Sequence, residues 1–403
     1  MDKSRRAALH LILMFGLISL FGDIIYEGAR SVNGPYLKTL GANAALVGLI
    51  AGVGEFLGYA IRLLSGYFAD KTKGYWIFTF LGYGMLISVP LMALTGTWQF
   101  VALFIVCERI GKAIRSPAKD TIVSQASKQV GTGFGFGLQE AMDQIGATVG
   151  PLIFTVLFVS IGKGARNLAD YQYGYSLLWL PFALLMVCVV LAYSRVPDPS
   201  ALEIPAANPQ EPDKLSKVFW QYTMFSFVAT AGFVNFVLIA YHLKDKHILS
   251  DAQIPFFYAV AMAIDGAVAM VIGRIYDRLK RKNKNDKAGL LTLISIPVFS
   301  ILIPVLGFSY NPVMAVTGIL LWGVVMGIHE TIMKSAIADL TPLKKRGTGY
   351  GIFNTSYGLA VFTGSALMGV LYDISIPVLI GFTIILQVAS VPMFFAMKKS
   401  AQA

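Results

Sequence analysis

The sequence predicts an all-α integral membrane protein: twelve transmembrane helices in two pseudo-symmetric six-helix bundles, with both termini in the cytoplasm. Three observations carry that expectation. The first is composition, with 56% hydrophobic and only 14% charged residues among 403 and a mean hydropathy of +0.66; soluble domains carry roughly a quarter charged residues. The second is recurrence. Apolar runs of about twenty residues, each long enough to cross a bilayer as a helix, fall at 9–31, 45–67, 76–96, 98–116, 133–160, 175–195, 218–242, 253–275, 288–308, 313–336, 348–371 and 376–397. The third is the placement of cations. With the N-terminus inside, 24 of the 33 Lys and Arg lie on the cytoplasmic side and only Lys38, Lys163, Arg166, Lys244 and Lys246 on the outer side. That asymmetry is the positive-inside rule, and it explains the net charge of +11 without nucleic-acid binding.

Taken in order, a short basic start (Met1–His10) leads into a first run too long for a cleavable signal peptide, so it is expected to stay as helix one. Helix one carries Asp23, Glu27 and Arg30 at spacings of four and three, which puts them on one face. Charges inside a span are costly and face a bundle interior or a watery cavity. A purely structural Glu27–Arg30 pair is the plainer alternative, and it leaves Asp23 without an evident local partner. Helix two carries Glu55 at depth and Arg62 near its end, where a long cation can snorkel to the surface.

Helix four ends in Glu108, Arg109, Lys112, Arg115 and Lys119. Arg109 is either a cavity cation or the partner of a neighbouring acid such as Glu108. The other three recur on one face and read best as inner-surface anchors, with an anion-attracting entrance as the alternative. Helix five opens on a glycine run from Gly131 to Gly137, then places Glu140 and Asp143 one turn apart. Gly146 and Gly150, four apart, allow close helix contact, and Gly150-Pro151 permits a bend. The stretch Ser194–Lys217, with Pro197, Pro199, Pro205, Pro209 and Pro212, reads as a cytoplasmic linker. The expected organisation is therefore a bundle over 1–195, a linker over 196–217 and a bundle over 218–403.

The second half carries less intramembrane charge: Asp265 in helix eight, and His329, Glu330 and Lys334 in helix ten. Glu330 and Lys334, four apart, neutralise each other in the simplest reading, and His329 is the one histidine well inside a span. The aromatics Tyr26, Tyr59, Phe236, Tyr241, Phe353 and Tyr357 are expected mostly to pack. Cys107 and Cys188 lie in apolar runs as small buried hydrophobes, with no disulfide or metal spacing.

Two internal correspondences tie the halves together. Gly111–Gly135 aligns without a gap on Gly327–Gly351 at a constant offset of 216, matching Lys128 to Lys344 and the Gly131-Thr-Gly133 run to Gly347-Thr-Gly349. The segment Gly66-Tyr-Phe-Ala-Asp70-Lys71 has an echo in Gly273-Arg-Ile-Tyr-Asp277-Arg278, each where an apolar run gives way to a basic loop. The glycine suits close helix approach, and the aspartate suits the free N–H groups at another helix start. This doubled signature resembles the one between helices two and three, and eight and nine, of the major facilitator superfamily. The first copy departs from the pattern at Lys73-Gly74-Tyr75, and the second omits the later glycine at Leu279-Lys280. Arg109, followed four residues on by the small Ala113, is similar to the family's fourth-helix signature, which is linked there to proton coupling. Gly150-Pro151 resembles a reduced form of the fifth-helix signature of its antiporters.

The resemblance covers almost the whole chain and implies a secondary transporter of the inner membrane, acting as a monomer by alternating access at a midplane site. No Gly-x-x-x-x-Gly-Lys-Ser/Thr loop is present, so no cofactor is expected and a proton or other ion gradient supplies the energy. Proton-coupled export of a small organic solute is the first expectation, because a carboxylate desolvated in a cavity exchanges protons near neutrality. Import or facilitated passage of a small polar or anionic metabolite, drawn by Arg30, Arg109 and Lys112, is the alternative. An enzyme or a receptor is disfavoured, because no catalytic or metal-ligand constellation falls in the spans and no sensor domain is evident.

Overall fold

The computed structural model describes residues 3–130, 132–162, 164–198, 215–283, 286–341 and 346–402, with the side chains of 6–126, 138–162, 164–198, 215–282, 289–333, 335–337, 340–341 and 349–401. Among these residues twelve membrane-length helices follow one another. They are α1 (Lys3–Thr39), α2 (Ala44–Thr72), α3 (Tyr75–Leu94), α4 (Trp98–Val130), α5 (Thr132–Ser160) and α6 (Leu168–Arg195). The second six are α7 (Lys217–Asp245), α8 (Gln253–Asn283), α9 (Gly289–Gly307), α10 (Pro312–Leu340), α11 (Arg346–Ile374) and α12 (Ile376–Gln402). Eleven are apolar enough to cross a membrane. The other, α4, has its apolar run interrupted by Glu108, Arg109, Lys112 and Arg115. Gly131, the 199–214 part of the linker, Lys344 and Lys345 lie outside the described residues, as do the side chains of Lys128 and Lys334.

Several helices run beyond the apolar stretches that announce them. α1 continues through Pro35 to Thr39, and α4 through Pro117 to Val130. The apolar run measures only the hydrocarbon crossing, while backbone pairing continues through the polar layer. Proline breaks the i→i−4 pairing inside such helices. At Pro117 the freed carbonyl is that of Ala113, and the Ser65 hydroxyl of α2 donates to it at 2.7 Å. Around Pro90, α3 tightens into 3₁₀ turns at Met85–Ile87 and Met92–Leu94. α6 is interrupted at Leu178, three residues before Pro181.

α7 is broken without proline. Its first piece ends at Gly232 and its second starts at Asn235, whose side chain accepts from the Val237 N–H at 3.0 Å. Carbonyls near the break are satisfied by side chains: the Trp322 indole donates to Val234 O at 3.0 Å and Gln387 donates to Ala229 O at 2.8 Å. A break inside a membrane is tolerated only where neighbours re-satisfy the backbone in this way.

Contacts divide the chain into two packing units. One comprises Met1–Gly41, Leu57–Asn208 and Asp251–Ala259; the other comprises Ala42–Phe56, Pro209–Ser250 and Val260–Ala403. In the first unit α1 lies against α5 at Gly146 and Gly150. An added Cβ at Gly150 would stand 2.4 Å from Ile24 O, and one at Gly146 2.5 Å from Leu20 O, so the expected close contact is there. Tyr36, Phe154, Phe158, Tyr171 and Tyr175 stack beside it, with ring centroids 5.0–5.9 Å apart.

The second unit packs Phe219, Tyr222 and Phe225 of α7 with Ile328 and Ile332 of α10, Phe353 of α11 and Phe394 of α12. The start of α2 belongs to this unit for a local reason. Gly48 and Gly52 let its backbone lie on α11, against Ser365 and Phe362. Asp373 of α11 accepts from the Ala44 and Ala45 N–H groups at 3.2 and 2.9 Å, an N-terminal cap supplied by another helix. Likewise Asp251, at the entrance to α8, accepts from the Tyr171 hydroxyl and the Arg166 N–H, both at 2.7 Å, within the first unit.

Candidate functional site

The face of α1 predicted by spacing is the spine of the site, but its centre is an uncharged residue. Tyr26, 4% exposed, sits among three cations. Its hydroxyl accepts from Arg109 of α4 and, at 3.3 Å, from Arg30. The Lys112 ammonium lies 3.9 Å and the Arg109 guanidinium 4.4 Å from its ring centroid. Both are cation–π distances, and this contact strengthens where water is excluded.

The cations are met by acids. Arg30 pairs with Glu27 at 3.7 Å and Arg109 with Glu108 at 3.4 Å, so both plain pairings weighed from the sequence form. Glu27 also accepts a hydrogen bond from the buried hydroxyl of Tyr258 in α8. Asp23 lies near Asp143, Lys112 and Glu27, and Lys119 lies near Asp143. Asp23 is pressed against α5, where a Cβ on Gly146 would stand 3.0 Å from its own. The acids Asp23, Glu27, Glu108 and Asp143 thus lie among the cations Arg30, Arg109, Lys112 and Lys119 in one unit. Such compensation is what a poorly solvated setting demands, since an uncompensated buried charge costs about 3–5 kcal/mol.

A cavity of about 10 Å³, room for one water molecule, opens beside this set between Tyr26, Arg30, Asn33, Glu108 and Arg109. Glu108 Oε1, buried at this cavity, has no hydrogen-bond partner among the described residues. Chemically, the set can take up a proton on an acid and release the cation that the acid had been neutralising. The released cation is then able to meet a different anion.

Other predicted residues lie elsewhere. Glu140 is exposed on α5. Glu55 falls in the second packing unit. So do Asp265, 3% exposed beside Gly327 of α10, and His329, 2% exposed, with its ring stacked 5.1 Å from Phe233 in the α7 break and edge-on to Tyr357 at 6.3 Å. Neither ring nitrogen of His329 has a hydrogen-bond partner among the described residues. Glu330 is exposed, and its expected pairing with Lys334 lies outside the described side chains.

In the doubled signature, Gly66 faces Pro117 and Gly273 faces Thr331, each with 3.4 Å from a would-be Cβ to its neighbour. Asp70, Lys71, Asp277 and Arg278 are exposed, and Asp70 accepts from the Tyr75 hydroxyl at 3.1 Å. The inner-surface anchor reading of Lys112 and Arg115 is corrected. Lys112 joins the Tyr26 set, and Arg115, 5% exposed, lies over the Tyr83 ring at 4.8 Å and donates to Gly82 O at 3.4 Å.

Comparison with known proteins bears on the whole chain. A model described as Major Facilitator Superfamily matches residues 12–365. An uncharacterized protein of Mycobacterium tuberculosis is 36% identical over 398 residues, 97% of this chain and 94% of the relative. An uncharacterized MFS-type transporter of Methanocaldococcus jannaschii is 26% identical over 377 residues, 90% of this chain and 89% of the relative. Among solved structures, the nucleoside transporter NupG superposes with a TM-score of 0.70 at 16% identity, covering 95% of this chain and 100% of that one. A POT family transporter bound to a thioalcohol-conjugated peptide gives 0.73 at 14% identity, covering 96% and 95%. At such identities the structures speak to the fold alone.

Proposed function

The chain belongs to the Major Facilitator Superfamily, and we propose that within it this protein is a proton-coupled antiporter exporting a small organic solute across the inner membrane. The protein is a multi-pass membrane transporter; the coupling, the direction and the membrane are the proposal, as are cytoplasmic termini and a monomeric working unit. One observation carries it. Arg30, Arg109 and Lys112 converge on Tyr26 beside the α1 acids Asp23 and Glu27, so protonation of either acid changes which cation is neutralised. A substrate and a proton that compete for the same acids give antiport, and no nucleotide or cofactor enters the cycle.

The test uses everted membrane vesicles carrying a pH-sensitive dye, energised by respiration and challenged in turn with cationic drugs, organic acids, sugars and amino acids. Dissipation of the proton gradient by one compound, only when this protein is present, is the expected result. Silence across the panel beside a working control exporter would sink the antiport reading. The three cations on Tyr26 favour a second reading, uptake of a small anion. Its signature is solute accumulation in cells that Arg30→Ala abolishes.

A further inference from the structure

A cavity of the first unit lies away from the charge set, at the α2–α3 turn. It is a groove of about 720 Å³ walled by Trp76, Ile77, Phe80 and Tyr193. The rings form one surface: Trp76 to Tyr193 and Phe80 to Tyr193 are each 5.6 Å between centroids, and Trp76 to Phe80 is 6.2 Å. The Trp76 N–H is spent on Val196 O at 3.0 Å, which fixes the indole beside the groove. Ile77 and Tyr193 are 72% and 43% exposed, so the groove opens outward along the membrane-crossing face of α3.

Its other end is polar and carries both signs of charge, with Lys73 and Asp198 at the rim and Gln125 in the wall. Gln125 is 6% exposed, and its Oε1 has no hydrogen-bond partner among the described residues. A buried amide oxygen without a donor leaves part of its desolvation uncompensated, and here it lines a cavity large enough to supply one. Lys73 has φ +56°, a left-handed conformation that reverses the chain between α2 and α3 at the rim.

We propose that this groove binds one membrane phospholipid with a primary-ammonium headgroup, its phosphate at Lys73, its ammonium donating to Gln125 Oε1 beside the Asp198 carboxylate, and an acyl chain against Trp76, Phe80 and Tyr193. Charge complementarity selects the occupant. A cation, an anion and an unfilled acceptor set at the end of an apolar groove match a zwitterion with a hydrocarbon tail. A trimethylated ammonium keeps the charge but has no N–H to give to Gln125.

The experiment exposes the purified full-length protein to vesicles of ethanolamine phospholipid and of choline phospholipid with identical acyl chains, and counts retained lipid by native mass spectrometry. The wild type retains the ethanolamine lipid about tenfold over the choline lipid, the discrimination expected of one charge-assisted hydrogen bond. Gln125→Leu brings the ratio close to one, while Phe80→Ala lowers retention of both lipids and keeps the ratio. Thermal unfolding in detergent confirms that the variants fold. Should Gln125→Leu fail to fold, Lys73→Asn, which suits a left-handed exposed turn, is expected to reduce retention of both phosphates. Equal retention of the two lipids by the wild type, a ratio unmoved by Gln125→Leu, or no retained lipid overturns the proposal.

Discussion

Two glycine-to-alanine substitutions make the same chemical change and are expected to act in opposite directions. At Gly150 the new Cβ would stand 2.4 Å from Ile24 O and 2.8 Å from the Gly28 nitrogen. Real Cβ atoms essentially never approach within 3.0 Å, so α1 must withdraw by at least 0.6 Å, and the obstructing atoms are backbone that cannot rotate aside. Overpacking of this kind costs about 1–3 kcal/mol, against a gain of about 0.5–1 kcal/mol for replacing glycine inside a helix. The difference spans about 0–2.5 kcal/mol, and its mid-value makes Gly150→Ala net destabilising by about 1 kcal/mol. At Gly381 of α12 nothing lies within 4 Å of the new atom, so only the gain of about 0.5–1 kcal/mol remains. The assay is thermal unfolding of the detergent-solubilised protein, followed as the monodisperse fraction. For a unit of this size a kcal/mol moves Tm by about 2–4 °C, which separates the two variants. A Gly150→Ala protein as stable as the wild type would refute the close α1–α5 packing.

Three further substitutions report on other contacts through the same unfolding measurement. Asp373→Ala removes the cap on α2 and is expected to cost about 0.5–2 kcal/mol, whereas Asp373→Asn keeps one of the two acceptor oxygens and is expected to cost less; equal losses would argue against capping. Ser65→Ala strips the donor from the Ala113 carbonyl freed by Pro117 and is expected to cost about 1–3 kcal/mol, with no loss meaning that the carbonyl is satisfied otherwise. Tyr258→Phe deletes only the hydroxyl that donates to Glu27, with an expected cost of about 1.5–3 kcal/mol for a bond to a charged acceptor. Combined with Glu27→Gln its effect should shrink, and full additivity would show that the two residues do not interact.

What the sequence shows is what a single helix can show. Twelve apolar runs anticipate twelve helices, and the spacing of Asp23, Glu27 and Arg30 anticipates one charged face of α1, because both are properties of one segment. Gly146 and Gly150 announce a close contact, since two glycines four apart make a flat stripe whichever partner comes. The partner itself is a tertiary fact. Nothing in the spacing of α4 tells that Arg109 and Lys112 converge on Tyr26, or that Arg115 is buried over Tyr83. The Tyr258–Glu27 bond joins residues 231 apart in sequence, beyond any local pattern. The same limit explains why Glu140 and Glu330, each on a plausible helix, are exposed. The break in α7 was within reach, because Gly232 and Asn235 are a stop and a start residue. A continuous apolar run masked them.

The most direct test of the central claim, that the acids of α1 couple protons to solute, uses proteoliposomes containing the purified protein, an internal pH dye and the solute found in the vesicle assay. With wild-type protein, solute leaving down its gradient should drive protons inward, and the lumen should acidify in proportion to the solute moved. With Asp23→Asn and Glu27→Gln combined, solute should still cross while the lumen pH stays constant. Unchanged acidification in that double variant would contradict the account, because the protons would then travel through groups other than Asp23 and Glu27.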